Sequence, residues 1–118
     1  MIELASRKRG QDPPPWVVWE ALTVPNRDPI RRWLELVDGE VAPRILGAVE
    51  PTLVVWSSLW ADRPNDQIRF DLEPFGEGCS LRWTLLSPDD PPDEETVAQL
   101  RHRLNFLING QLRHSFDY

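Results

Sequence analysis

EPTLVVWSSLWADRPNDQIRFDLEPFGEGCSLRWTLLS, residues 50–87, reads as three consecutive β-strands joined by turns. From Ile68 to Leu72 the alternation is strict, with Ile68, Phe70 and Leu72 on one face and Arg69 and Asp71 on the other. It recurs from Cys79 to Leu85, where Cys79, Leu81, Trp83 and Leu85 oppose Ser80, Arg82 and Thr84. A side-chain period of two marks a strand with one face in the core and one toward water. Pro74-Phe75-Gly76-Glu77-Gly78 between them predicts a five-residue hairpin loop. Thr52 to Trp60 is more continuously apolar and β-branched, as expected of a central strand, and Asp62-Arg63-Pro64-Asn65-Asp66 supplies its turn.

Outward from that meander, Ile2 to Ser6 alternates as a short first strand, and the chain is expected to turn away near Gly10-Gln11. Asp12 before Pro13-Pro14-Pro15 signals a helix start, with Asp as N-cap and a helix from Trp16 to Val24. A second short helix is predicted from Ile30 to Leu36, closed by Asp38-Gly39. Within residues 40–49, Pro43 and Gly47 forbid a regular central strand, so an edge strand or bulged connection is expected. Asp89, Asp90, Asp93, Glu94 and Glu95 then feed a helix whose N-terminus favours negative charge. Val97, Leu100, Leu104, Leu107, Ile108, Leu112 and Phe116 trace one apolar stripe along it, which Gly110 weakens and lets bend. A long helix with one apolar stripe must bury it, and the sheet is the only partner large enough. The pattern is α+β.

At 118 residues, with 41% apolar and 27% charged residues, the chain is expected to fold as one domain, 1–118. No apolar run approaches the ~20 residues that cross a bilayer, and the charged MIELASRKRGQD does not read as a signal peptide. The single cysteine excludes an internal disulfide and suits a reducing, cytoplasmic setting. A net charge of −6 argues against nucleic acid, and the isolated Arg7-Lys8-Arg9 reads as the exposed end of a strand. No metal or cofactor is expected, because one cysteine and two scattered histidines do not make a ligand cluster. Cys79 has no histidine near it in sequence, and the acidic loop is a helix cap rather than a spaced acid/base pair, so catalysis has little support.

The order of elements, with WEALTVPNRDPIRRW, PTLVVWSS, IRFDLEPFGEGCSLRWTLL and LRHRLNFLINGQLR, resembles the START-like superfamily. That superfamily, also called SRPBCC or polyketide cyclase/dehydrase-like, includes a chaperone-ATPase-activator branch. The resemblance covers nearly the whole chain and rests on Val18 to Thr23, Trp33, and Leu72-Glu73-Pro74 through Gly78 to Leu81. It implies a helix-grip fold, a curved antiparallel sheet around the C-terminal helix, with two short helices after the first strand. Only 17 residues separate Trp33 from Pro51, fewer than the family's extra hairpin needs, which predicts a shortened sheet and a smaller or more open cavity.

The resemblance also implies a ligand cavity between sheet and C-terminal helix. Its candidate walls are Trp33, Trp56, Trp60, Phe70 and Trp83, with Leu104 and Ile108 from the helix stripe. Flat rings suit a small hydrophobic or aromatic ligand, lipid or polyketide-like, and each indole carries an N–H to donate. The simpler alternative is that these side chains fill the core. His102, off the apolar stripe, is expected to be solvent-exposed, and His114 to interact with the helix dipole, a structural role. Asn105 and Asn109 are expected at the surface, Cys79 as a buried inert thiol, and Arg69, Asp71, Glu73 and Arg82 as a solvated charged face. Two further readings stand beside ligand binding: a protein-interaction or homodimerisation module, and, with least support, a cyclase- or dehydratase-like enzyme.

Overall fold

Side-chain alternation across residues 68–85 builds the centre of the molecule. The computed structural model describes residues 1–27 and 32–117. In it β1 (Ile2–Gln11), β2 (Ile45–Val49), β3 (Leu53–Ser57), β4 (Gln67–Phe75) and β5 (Gly78–Ser87) form one sheet, ordered β1-β5-β4-β3-β2. Every pairing is antiparallel. Register places Phe70 between Val54 and Trp83, and Ile68 between Trp56 and Leu85. All six are fully buried, whereas Arg69, Glu73 and Arg82 on the opposite face are exposed. The charged face is solvated, as the alternation implies.

Among the described residues, three α-helices and one π-helical stretch complete the fold. α1 (Pro15–Thr23) buries Val18 and Leu22. α2 (Glu94–Asn105) starts at Asp93, whose side chain accepts from the Thr96 N–H at 2.8 Å. That hydrogen bond holds the Asp93 carboxyl below its ordinary range. The helix runs into a π-helical stretch, Phe106–Leu112, and then α3 (Arg113–Ser115). Leu100, Leu104, Leu107, Ile108 and Leu112 are buried along it, so the predicted stripe does meet the sheet. Gly110, the poorest helix former in this run, sits in the π-helical stretch. The architecture is α+β with a helix-grip arrangement. Among the described residues no helix is long and apolar enough to cross a membrane.

Several local expectations are corrected. β1 continues through Arg7-Lys8-Arg9 to Gln11, since an edge strand tolerates charge. The hairpin between β4 and β5 tightens to Gly76-Glu77, because Phe75 still pairs with Gly78 and Gly76 takes a φ of 58°. Pro14, not Asp12, is the N-cap of α1. Residues 40–49 do provide an edge strand, β2, with a bulge between Ile45 and Gly47.

The second short helix is not formed from Arg32 to Leu36, which carry no regular structure, and Ile30 lies outside the described residues. Asn26 explains this. Its Oδ1 accepts the backbone N–H groups of Trp33 and Leu34 at 2.8 and 3.0 Å, and its Nδ2 donates to the Leu34 carbonyl at 2.9 Å. A side chain has replaced the helical partners of that segment.

Candidate ligand-binding cleft

The seven expected wall residues do not surround an open space. Trp56, Phe70, Trp83, Leu104 and Ile108 are all 0% exposed, and Trp33 and Trp60 are 4% and 8% exposed. Trp33 stacks on Trp56 with centroids 5.9 Å apart, and Phe70 meets Trp56 edge-on at 4.7 Å. The indole N–H groups of Trp33, Trp56 and Trp83 are engaged within the protein, as is that of Trp19, which donates to the Leu53 carbonyl at 3.0 Å. Trp56 Nε1 donates to the Leu22 carbonyl at 2.8 Å, Trp33 Nε1 to the Ala21 carbonyl at 3.3 Å, and Trp83 Nε1 to Asn105 Oδ1 at 3.2 Å. Aromatic side chains fill the volume between sheet and C-terminal helix.

Asn105 and Asn109 are half-buried, not surface groups as their position beside the stripe suggested. Asn105 Oδ1 also accepts from Asn109 Nδ2 at 3.3 Å, and Asn109 Oδ1 accepts from Gln11 Nε2 at 3.2 Å. This chain of amides ties β1, β5 and the C-terminal helix together. The Oε1 atoms of Gln11 and Gln111 are buried without a partner.

A second tie was invisible in the sequence because its members lie 63 positions apart. Arg103 grips Glu40 through Nε and Nη2, both at 2.8 Å, and Nη2 also donates to the Glu35 carbonyl at 2.9 Å. The Glu40 side chain is 3% exposed. Burial opposes its charge, but Arg103, the Val37 N–H and the Trp60 indole together hold its carboxyl below the ordinary value of 4.5. The same hydrogen bond raises Arg103 further above its ordinary range. Cys79 has no such partner, and burial pushes its thiol up to about 11, an inert state at neutral pH. His102 and His114 are exposed. Among the described residues no three His, Cys, Asp or Glu side chains gather as a metal site would require.

Open volume lies elsewhere. A cleft of about 570 Å³ runs between the outer side of α1, the segment that Asn26 organises, and the C-terminal end of the helix. Its apolar lining comes from Pro13, Val17, Ala21, Val24, Trp33 and Phe116, and its polar rim from Asp12, Glu20, Asn26, Arg27 and Ser115. Trp33 alone among the expected wall residues borders it. A smaller cleft of about 350 Å³ adjoins at Trp33 and Ser115 and reaches Gln111 and His114. None of the ligand-wall residues expected from the sequence lies on α1. The missed signal is a second apolar stripe, Val17, Ala21 and Val24, at helical spacing.

No family model and no curated protein sequence matches the chain. Solved structures do. CalU16 from Micromonospora echinospora superposes with a TM-score of 0.68 at 19% identity, over 95% of this chain and 75% of that one. The chain has the START-like, helix-grip fold. The Aha1 dimer from Colwellia psychrerythraea matches with a TM-score of 0.68 at 15% identity, over 99% of this chain and 97% of that one. The protein SSP2350 from Staphylococcus saprophyticus reaches 0.72 at 15% identity, over 99% and 92%. At these identities the likeness is one of fold, and the described residues of this chain form a five-stranded sheet.

Proposed function

We propose that the 1–118 chain acts as one non-enzymatic START-like domain that binds a small hydrophobic or aromatic ligand beside Trp33, in a reducing cytoplasm that suits its buried thiol. The observation that carries this reading is the cleft of about 570 Å³, which falls within the roughly 300–1,000 Å³ range of small-molecule sites. Its walls are apolar, with a few charged and amide groups at the rim to orient a polar end. A ligand held instead by Trp56, Trp60, Phe70, Trp83, Leu104 and Ile108 would require the filled interior to open. The cleft requires no such opening.

The test is a titration with the uncharged fluorophore N-phenyl-1-naphthylamine, alongside native mass spectrometry of the purified chain. Saturable binding that weakens at least about tenfold in Val17→Asp supports the cleft, since a buried carboxylate in the apolar wall is strongly disfavoured. Binding unchanged in Val17→Asp but lost in Leu104→Ala moves the ligand between sheet and helix. No binding by either method removes the carrier reading.

A second reading, that the domain works by association with another chain, is favoured by a separate observation. β2, the end strand of the sheet, is uncharged and exposes Ile45, Leu46 and Val49. One structural neighbour is described as a dimer.

A further inference from the structure

α1 ends in a sequence that forces a turn. Val24 is its C-cap, and Pro25, which cannot continue a helix, follows at once. Val24-Pro25-Asn26-Arg27 carries the signature of a type II turn, with proline second and a positive φ third. The Arg27 N–H donates to the Val24 carbonyl at 3.3 Å, and Asn26 has a φ of 63°. Among the described residues it is the one non-glycine on the positive side. Asparagine tolerates that conformation better than most side chains do.

From this turn the Asn26 side chain reaches seven and eight positions onward. Its Oδ1 accepts two successive N–H groups, those of Trp33 and Leu34, and its Nδ2 donates to the Leu34 carbonyl. Trp33 is thereby held through its backbone, while its Nε1 donates to Ala21 and its ring stacks on Trp56. The Ala21 bond, at 3.3 Å, is long for N–H···O and is the weaker hold. Trp56 differs. It sits in β3, paired with Ile45 on one side and Ile68 on the other, and its own indole bond is 2.8 Å. Trp33 lies in a stretch without regular structure, so its place depends on Asn26.

The clefts depend on Trp33 in turn. It borders both, together with Ser115. The larger is walled by apolar side chains, whereas the smaller is lined by Arg32, Glu35, Gln111, His114 and Asp117. Trp33 stands where the two meet. With its N–H spent on Ala21, the ring adds apolar wall and no polar group to the larger cleft.

We infer that Asn26 is the positioning residue of the cleft, holding Trp33 at the boundary between the apolar and the polar space and so fixing the wall against which a ligand rests. This rests on the reading of the cleft as a ligand site. Asn26 acts through Trp33, and the apparent affinity falls with the fraction of chains in which that ring is in place.

The experiment compares Asn26→Gly and Asn26→Asp with wild type by indole hydrogen exchange in ¹H–¹⁵N NMR and by N-phenyl-1-naphthylamine titration. Glycine keeps the positive φ and removes all the side-chain bonds. Aspartate keeps the φ and the acceptor for Trp33 and Leu34, and loses only the bond to the Leu34 carbonyl. In Asn26→Gly the Trp33 indole N–H should exchange about tenfold faster or more, with dye affinity lowered about as much, while the Trp56 indole keeps its wild-type rate. Asn26→Asp should restore slow exchange at Trp33.

Slow Trp33 exchange in Asn26→Gly would show that the ring is held without Asn26. Equal acceleration at Trp33 and Trp56 would mean a general loosening of the core, which overturns a positioning role. Aspartate no better than glycine would overturn the acceptor bonds as the cause. Fast Trp33 exchange with unaltered dye binding would break the link between that ring and the cleft. A wild type that binds no dye would sink the cleft reading itself, and the exchange rates would still decide whether Asn26 holds Trp33.

Discussion

Two regions of this molecule lie against the same indole and differ in every other respect. On one face of Trp33 is the interior between sheet and C-terminal helix, where Trp56, Phe70 and Trp83 are wholly buried and their polar atoms have partners. On its other side is the cleft, bordered by the outer stripe of α1 and by Phe116. The interior contributes stability, because close-packed aromatic area is removed from water and the indole N–H groups of Trp33, Trp56 and Trp83 are taken by partners within the protein. The cleft contributes little, and for that reason is available. In this helix-grip chain the large side chains of the interior meet one another.

Substitutions should separate the two regions by size of effect. The largest is expected from Trp83→Ala, which empties the interior and removes one of the two donors to Asn105 Oδ1. Thermal or denaturant unfolding should show a loss of about 3–5 kcal/mol, and a loss under 1 kcal/mol would mean that the interior is not tightly filled. Next comes Gly78→Ala, at the seam where the β4–β5 hairpin approaches the end of β1. A Cβ there would collide with the backbone carbonyls of Gln11 and Asp12, so a loss of about 1–3 kcal/mol is expected.

Glu40→Gln tests the ion pair that closes the interior's far end, and should lower stability at pH 7 by roughly 1.5 kcal/mol. The sign with pH follows from Glu40's lowered pKa. Above its ordinary value of 4.5 the carboxylate's contribution is fully present, and it fades as pH falls through the still lower value of the folded state. Unfolding of wild type and Glu40→Gln, followed between pH 7 and pH 3, should therefore converge toward the acid end. Parallel curves would show that Arg103 does not stabilise the charged form. The smallest effect belongs to the cleft. Val24→Ala, at a 42% exposed wall position, should change stability by no more than about 0.5 kcal/mol while weakening N-phenyl-1-naphthylamine binding.

The legibility of the sequence divides along the same line. β4, β5 and the C-terminal helix were readable because one face of each is buried, and burial imposes the periods on which such reading depends. The ends of elements were less so. β1 ran past its charges because β5 continues alongside, and the hairpin closed more tightly because Gly76 could take a positive φ. The second short helix failed although Trp33 and Leu34 have helix-like apolar spacing. The Asn26 side chain took their N–H groups from eight positions away or fewer, and no periodicity records that. Trp33, Trp56 and Phe70 of the expected site pack on one another, but a pattern of apolar residues does not say whether a space remains between them. Glu40 with Arg103, and Gln11 with Asn109, are long-range pairs with no local signature.

The stacked pair of Trp33 and Trp56 has a further consequence, an optical one. Two indoles with centroids 5.9 Å apart and planes inclined by 20° couple their electronic transitions, and the coupled pair should give a split band in circular dichroism. Trp56 is anchored in the core, whereas Trp33 also borders the cleft, so anything that enters there and tilts Trp33 should change the splitting. The chain thus carries its own chromophoric gauge of occupancy, readable without a label.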